Sequence, residues 1–495
     1  MSRIGDLVRI AAIGLPFLLA VAAAEAQSPP TAEQLATQID ALKQDYEKRI
    51  AALEAQLAVM KAKPAAADEQ AAPAPTMRSG DNSFNPAIGV VFAGMVSDFS
   101  EDESEGLPGF QVGHESGRPQ KGLSLGHSEI TMSGNIDDKF RGALTLGLHG
   151  DDHGDEVEVE EAYVQTLGGS GMPDGVRLKA GRALWTFGYL NEQHAHADDF
   201  NDRPLPYRAF LDGAYNDDGL ELSVVLPGEL YSEIGGGVFR GRDVPFGGSE
   251  SGREAWSAYG RLGGDLGRNT AWRLGGYVLD GAAHGRSGGA HDHAHEEEHA
   301  HAHNHGEGDE DKHEREEEEH EHDMANFFSD GMFTGDTRLF GADFRLTWAP
   351  TGNARDSELI LQGEYFRRSE EGTYALQEPN EECENDLPNG YGHNVCEPHE
   401  ESEQLSGDAD GWYAQAVYKF LPQWRVGARY ARLSPPSDAG LGYDLSTIST
   451  MLDWTNSEFG RVRLQYNRES LGSKRDDQVM LQYVMSLGAH AAHSF

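Results

Sequence analysis

The sequence predicts an all-β transmembrane barrel of about 16 antiparallel strands, preceded by a short coiled-coil helix. Three observations carry this expectation. Over residues 85–495, short segments alternate apolar and polar residues between clusters of Gly, Asp, Asn and Pro. The connections between those segments alternate between short and long, the pattern of outer-membrane barrels with tight periplasmic turns and larger outer loops. Beyond Ala24 no run approaches the roughly 20 apolar residues that a membrane-crossing helix requires.

The elements follow in order. Arg3 and Arg9 form a basic start, residues 10–24 are apolar, and Ala24-Glu25-Ala26 is a cleavage pattern. Residues 1–26 therefore read as a signal peptide, which places the mature chain outside the cytoplasm. In residues 27–62, Leu35, Ile39, Leu42, Tyr46, Ile50, Leu53, Leu57 and Met60 are spaced 4, 3, 4, 4, 3, 4, 3. That is a coiled-coil seam, and a stripe so narrow on so short a helix is marginal alone, so it is expected to pair with copies of itself. The other reading is a lone helix lying on a neighbouring surface. Residues 63–84 form a Pro/Ala-rich tether.

The strands are expected at 87–97, 122–133, 140–149, 156–167, 175–185, 218–226, 230–240, 255–264, 270–279, 337–349, 357–368, 410–420, 423–433, 446–455, 459–468 and 477–495. Most have one apolar and one polar face. Val462, Leu464 and Tyr466 alternate with Arg461, Arg463, Gln465 and Asn467, as suits a wall between lipid and a wet lumen. Connections after even-numbered strands are short. Those after odd-numbered strands are mostly longer, 469–476 among them, and only 150–155 is brief. Mean hydropathy is −0.58, too polar for a helical membrane protein and compatible with a barrel. The formal net charge of −43 predicts an outer mouth that attracts cations and repels anions. No nucleic-acid partner is expected.

The long loop 281–335 contains the most unusual stretch, residues 291–323. His291, His293, His295, His299, His301, His303, His305, His313, His320 and His322 stand there among 15 acids, with no apolar residue larger than Ala. Neutral imidazoles and carboxylates at this density bind Zn(II), Ni(II), Cu(II) or Co(II). Such a tract cannot bury enough surface to order itself, so a mobile capture loop is expected, against the alternative of a solvated acidic loop. The loop 186–217 differs. It carries His194, His196, Asp198, Asp199 and Asp202 together with apolar anchors Leu190, Phe200, Leu205, Tyr207 and Phe210, so it can fold inward and constrict the pore. A third group is His149, Asp151, Asp152, His153, Asp155 and Glu156, and His127 shares the polar parity of Glu129. The bland reading of these groups is ordinary lumen or loop polarity. Arg141, Arg177, Arg273, Arg345, Arg425, Arg429, Arg461 and Arg463 read as paired charges bracing the wall, the alternative being an anion path. Cys383 and Cys396, alone in an exported chain, predict a disulfide, with His393 and His399 as partners in an alternative metal site. No nucleophile elbow, P-loop, dinucleotide fingerprint or HExxH motif occurs, so no enzyme activity is expected.

Glu160-Glu161-Ala162-Tyr163-Val164, Ala180-Gly181-Arg182 and Phe187-Gly188, together with the layout of the whole mature chain, resemble a bacterial outer-membrane porin, most nearly the phosphate-selective porin O/P type. The resemblance implies a trimeric barrel of sixteen strands in the bacterial outer membrane. Phosphate selectivity in that family rests on basic pore residues, whereas this chain is strongly acidic. The amphipathic last strand ending at Phe495 resembles the signal that outer-membrane proteins present to their assembly machinery. The His-rich loop resembles those of zinc-acquiring outer-membrane receptors. Those receptors are usually TonB-dependent and carry a plug domain, for which residues 27–84 leave no room. The expected function is thus a channel for divalent transition metal, zinc first because the tract has no thiolate to favour Cu(I). The alternatives are a closed metal-sequestering or surface-interaction barrel and an energised zinc receptor.

Overall fold

The computed structural model describes residues 86–101, 106–113, 117–151, 154–168, 170–247, 255–287, 328–378, 399–457 and 459–488. The signal peptide, coiled coil, tether, His-rich tract 291–323, Cys383, Cys396 and Phe495 lie outside the described residues.

Seventeen strand segments are β1 (Ala87–Phe99), β2 (Gly122–Leu125), β3 (Ser128–Asn135), β4 (Phe140–Asp151), β5 (Gly154–Thr166), β6 (Val176–Leu184), β7 (Asn216–Leu226), β8 (Tyr231–Phe239), β9 (Ala255–Asp265), β10 (Thr270–Arg286), β11 (Met332–Trp348), β12 (Glu358–Glu378), β13 (His399–Leu421), β14 (Trp424–Ser434), β15 (Leu445–Ser457), β16 (Gly460–Leu471) and β17 (Lys474–Gly488). Both β2 and β3 pair with β1 and form one interrupted stave. Each following segment pairs antiparallel with the next, and β17 returns to β1 with Gly89 opposite Gly488 and Phe99 opposite Gln478. The result is a closed barrel of sixteen staves with no free sheet edge, which a structure surrounded by lipid requires.

The barrel is apolar outside and polar inside. Phe92, Leu222, Leu262, Phe344, Leu361, Ile448, Leu464 and Leu481 are exposed, whereas Glu129, Asp343, Glu364, Asp453 and Arg463 are buried. Phe140, Tyr231, Trp348, Phe420 and Phe459 stand exposed beside the short turns, forming an aromatic girdle at that end.

Beyond the break that splits the expected strand 122–133 into β2 and β3, the largest departures from the sequence expectation lie in two places. Strands β10 to β13 run far past the predicted ends, so the ladder continues to Arg286 opposite Phe333 and Glu378 opposite His399. Alternation fades in these extensions because no lipid faces them. They are held by backbone pairing and by a cluster of Ala283, Phe328, Phe333, Tyr374, Leu405 and Ala439. The last hairpin is also tighter than the predicted 469–476, since Leu471 pairs with Lys474 around Gly472, whose φ of 68° suits glycine.

The connection between β6 and β7 folds into the lumen, as its apolar anchors predict. It contains the short helix α1 (Leu205–Leu211), started by Pro206 in its first turn and ended by Asp212 in a left-handed conformation. Trp185, Phe187, Tyr207, Phe210 and Tyr215 pack with Tyr277, Phe366, Tyr413 and Leu433 from the wall, so the main apolar core of the molecule lies inside the barrel. Phe110 from the first outer connection closes on Phe210 edge-on at 5.8 Å. Glu364 of β12 accepts hydrogen bonds from the Tyr207, Tyr277 and Tyr413 hydroxyls and from the Tyr189 and Leu190 amides.

Candidate metal centre in the lumen

Strict alternation would point only one of two consecutive residues inward. Two bulges overcome this. Thr145 of β4 pairs with Glu161, whereas Leu146 pairs with Val159, so Glu160 is an extra residue on β5. Both carboxylates therefore face the lumen, and both residues are 9% exposed. On the far side of β4, in the interrupted stave, Gly94 pairs with Leu125 and Val91 with Glu129, so residues 126–128 oppose only 92 and 93. The Ser128 hydroxyl repairs the broken ladder by accepting from the Ala93 amide at 3.0 Å. His127 and Glu129 emerge from this break on the lumen side. Bulges commonly re-aim side chains next to functional sites.

The lumen loop delivers two imidazoles to these four residues. His196 Nδ1 lies 2.8 Å from Glu129 Oε1. His194 Nδ1 lies 3.2 Å from both Glu129 Oε2 and Glu160 Oε2, and its Nε2 lies 3.1 Å from Glu161 Oε2. His127 Nε2 is 3.0 Å from Glu129 Oε1 and 2.9 Å from Glu160 Oε1. Ligand atoms of His127, Glu129 and Glu160 all fall within 4.8 Å of one another, the one such group among the described residues. Ionised carboxylates only accept, so contacts to both ring nitrogens of His194 favour its doubly protonated form. Burial alone would lower its pKa, but the bonds to Glu129, Glu160 and Glu161 outweigh that and hold it well above the ordinary value. For His196 burial prevails over Glu129, and the pKa is lowered.

The loop is also fastened from behind by arginines. Arg203 donates to the Leu190 and Gln193 carbonyls at 2.6 Å each. Arg461 donates to the His196 carbonyl, and Arg463 to the Asp198 carbonyl at 2.7 Å. Asp198 and Asp199, predicted beside the histidines as ligands, turn to arginines instead: Asp198 lies 2.9 Å from Arg203 and Asp199 2.7 Å from Arg425. For Asp198 burial still outweighs Arg203 and lifts the carboxyl pKa to about 6, and the partners of Asp199, Gln415 and Arg425, stand more than two hundred positions away in sequence. Asp202 likewise meets Arg429 at 2.8 Å. Arg177, Arg273 and Arg463 pair with Glu233, Asp343 and Asp453 of the wall, as the bracing reading predicts, whereas Arg425, Arg429 and Arg461 also reach the lumen loop.

His149 lies on β4 with its backbone opposite Glu156, and His153 lies outside the described residues. Sequence reading thus found His194 and His196 and set His127 beside Glu129 on a polar face, but it did not join the two pairs and gave Glu160 and Glu161 no part in a site. The legible signal was the doubled acid Glu160-Glu161 inside an alternating strand, which a lumen can accommodate only through a bulge.

No protein-family profile matches the chain. Over 426 residues it is 25% identical to a protein of Aquifex aeolicus (strain VF5) named only as uncharacterized, covering 81% of this chain and 76% of that one. Among solved structures it is similar to Vibrio cholerae OmpT in its trimer form, at 9% identity and a TM-score of 0.45 over 81% of this chain and 99% of that one. It is also similar to an anion-selective porin from Comamonas acidovorans, at 10% identity and 0.46 over 81% and 99%, and to the outer membrane channel DcaP of Acinetobacter baumannii, at 10% and 0.44 over 81% and 97%. Likenesses this distant carry no weight for function, and the fold rests on the strand ladder itself. A closed antiparallel barrel with an apolar exterior, an aromatic girdle and a charged interior is the architecture of bacterial outer-membrane proteins, and this chain is an outer-membrane β-barrel.

Proposed function

We propose that the protein is a porin-like channel that captures divalent transition metal and admits it to the periplasm, zinc before the others. The observation that carries this reading is the convergence of three histidines and three glutamates in the lumen. Imidazole and carboxylate without thiolate suit zinc. The His-rich tract between β10 and β11 would raise the local metal concentration at the outer mouth, and the coiled-coil seam supports self-association, with a homotrimer as the form the porin-like layout implies. Proteoliposomes containing the protein should take up radiolabelled zinc faster than empty vesicles, and a knockout should grow poorly under chelation. Equal uptake by both kinds of vesicle refutes the reading.

One observation favours a second reading, a closed barrel that sequesters metal. The lumen loop is bonded to β3 and β5 on one side and to β12, β14 and β16 on the other, around an apolar core. Such a barrel would bind zinc without passing it, and the same vesicles would show binding with no accumulation.

A further inference from the structure

We propose that His127, Glu129 and Glu160 of the wall, closed over by His194 and His196 of the lumen loop, form a single-ion station in the permeation path, where a divalent metal bridges the loop to the barrel wall and interrupts the current of monovalent ions. This rests on the metal-channel reading above and adds where the ion stops and what it does there.

Three features support it. The first is spacing. The imidazole and carboxylate atoms now meet at 2.8–3.2 Å, while ligand atoms on a tetrahedral zinc with bonds of about 2.0–2.1 Å lie about 3.3 Å apart. Ligand atoms of His127, Glu129 and Glu160 already lie within 4.8 Å of one another, and Nδ1 of His194 and of His196 each touches a carboxylate of that trio, so a loop imidazole is at hand to complete the shell. The second is access combined with burial. The side chains of His127 and His194 remain 25% and 20% exposed, while Glu129 is 1% exposed. The ion enters past the two histidines and rests on a fully enclosed carboxylate. The third is that the ligands come from two bodies. His127, Glu129, Glu160 and Glu161 are fixed by the bulged wall, whereas His194 and His196 ride on the loop. Arg203 and Arg461 hold the carbonyls of Gln193 and His196 on either side of the paired imidazoles. Guanidinium groups do not ligate metal, so they position this segment without competing for the ion. A bound ion thus sits between loop and wall, and binding strong enough to delay its exit holds back the ions behind it.

The test is the potassium current of the purified full-length protein in a planar bilayer, with zinc added and then removed by a chelator. Zinc should abolish most of the current, and the chelator should restore it. In the His194→Ala/His196→Ala variant the zinc concentration for half block should rise by about 10- to 100-fold or more. Glu129→Gln, which keeps the side-chain shape should the double variant fail to assemble, should show the same rise. Zinc binding measured by equilibrium dialysis separates the failures. Zinc bound at the cluster with the current unchanged places the site off the path and overturns the station, leaving the channel reading intact. Block of equal potency in the variants also overturns it, since the blocking site then lies elsewhere. A protein that passes no potassium current overturns it and favours the closed barrel, and one that binds no zinc refutes the metal-channel reading as well.

Discussion

Nδ1 of His196 lies 2.8 Å from Oε1 of Glu129, joining a loop that crosses the lumen to a stave broken at that level. Both partners are buried, and Glu129 also meets His127 and His194, so the contact is one strand of a shared network rather than an isolated pair. This contact links the loop's position to the wall's chemistry, and the predictions below follow from that link and its neighbours.

Deleting residues 291–323 should leave a heat-resistant barrel, because strand pairing is already complete at Arg286 and Phe333. Metal analysis should find most zinc lost but the lumen ion retained. If the tract is a capture loop, uptake should slow at scarce zinc and stay unchanged at plentiful zinc. Equal uptake at scarce zinc would reduce the tract to a solvated loop.

Zinc binding to the lumen cluster should release protons and strengthen as pH rises beyond neutrality. His194 is held protonated well above the usual imidazole range, and a metal must displace that proton. An ordinary imidazole site, with a pKa of about 6.5, would level off above about pH 7.5. Calorimetry in buffers of different ionisation enthalpy reads the proton count directly. Affinity that is flat from neutral to alkaline pH would show that His194 is not a ligand.

Tyr207→Phe should destabilise the loop without touching the metal ligands. It removes a hydroxyl that donates to Glu364 at 2.9 Å but keeps the ring edge-on to Phe366, 5.1 Å between centroids. Loss of a hydrogen bond to a carboxylate is worth about 1.5–3 kcal/mol, read as a lower unfolding midpoint in detergent. An unchanged midpoint would mean that the remaining donors fully compensate.

Alkylation of the unreduced, denatured protein should label neither Cys383 nor Cys396. The short loop that their bond would close is worth roughly 3 kcal/mol on the chain-entropy view. Labelling of both would favour a Cys/His metal site with His393 and His399.

The barrel was readable in the sequence because lipid imposes one rule on every stave. Val462, Leu464 and Tyr466 had to face outward, and Arg463 and Gln465 inward, whatever the tertiary detail. The inward course of the loop was readable too, since Phe200, Tyr207 and Phe210 could find cover only inside. The partners of charged residues were not readable. Asp199 and Arg425 are neighbours only after the barrel closes, and nothing local distinguishes a carboxylate bound for an arginine from one bound for a histidine. The ends of β10 to β13 were missed because alternation weakens where neither lipid nor lumen enforces it. The full cluster escaped because it depends on two local breaks of the alternation that revealed the fold.

Those breaks bear on how such a site could arise. A barrel lacking Glu160 would run from Val159 to Glu161 in unbroken alternation, with every lipid-facing residue of β5 still outside. A single inserted codon in such an ancestor would add the second carboxylate and leave the membrane-facing surface unaltered. Such an insertion would complete a cluster already half built by the break at residues 126–128, with the lipid-facing surface unchanged.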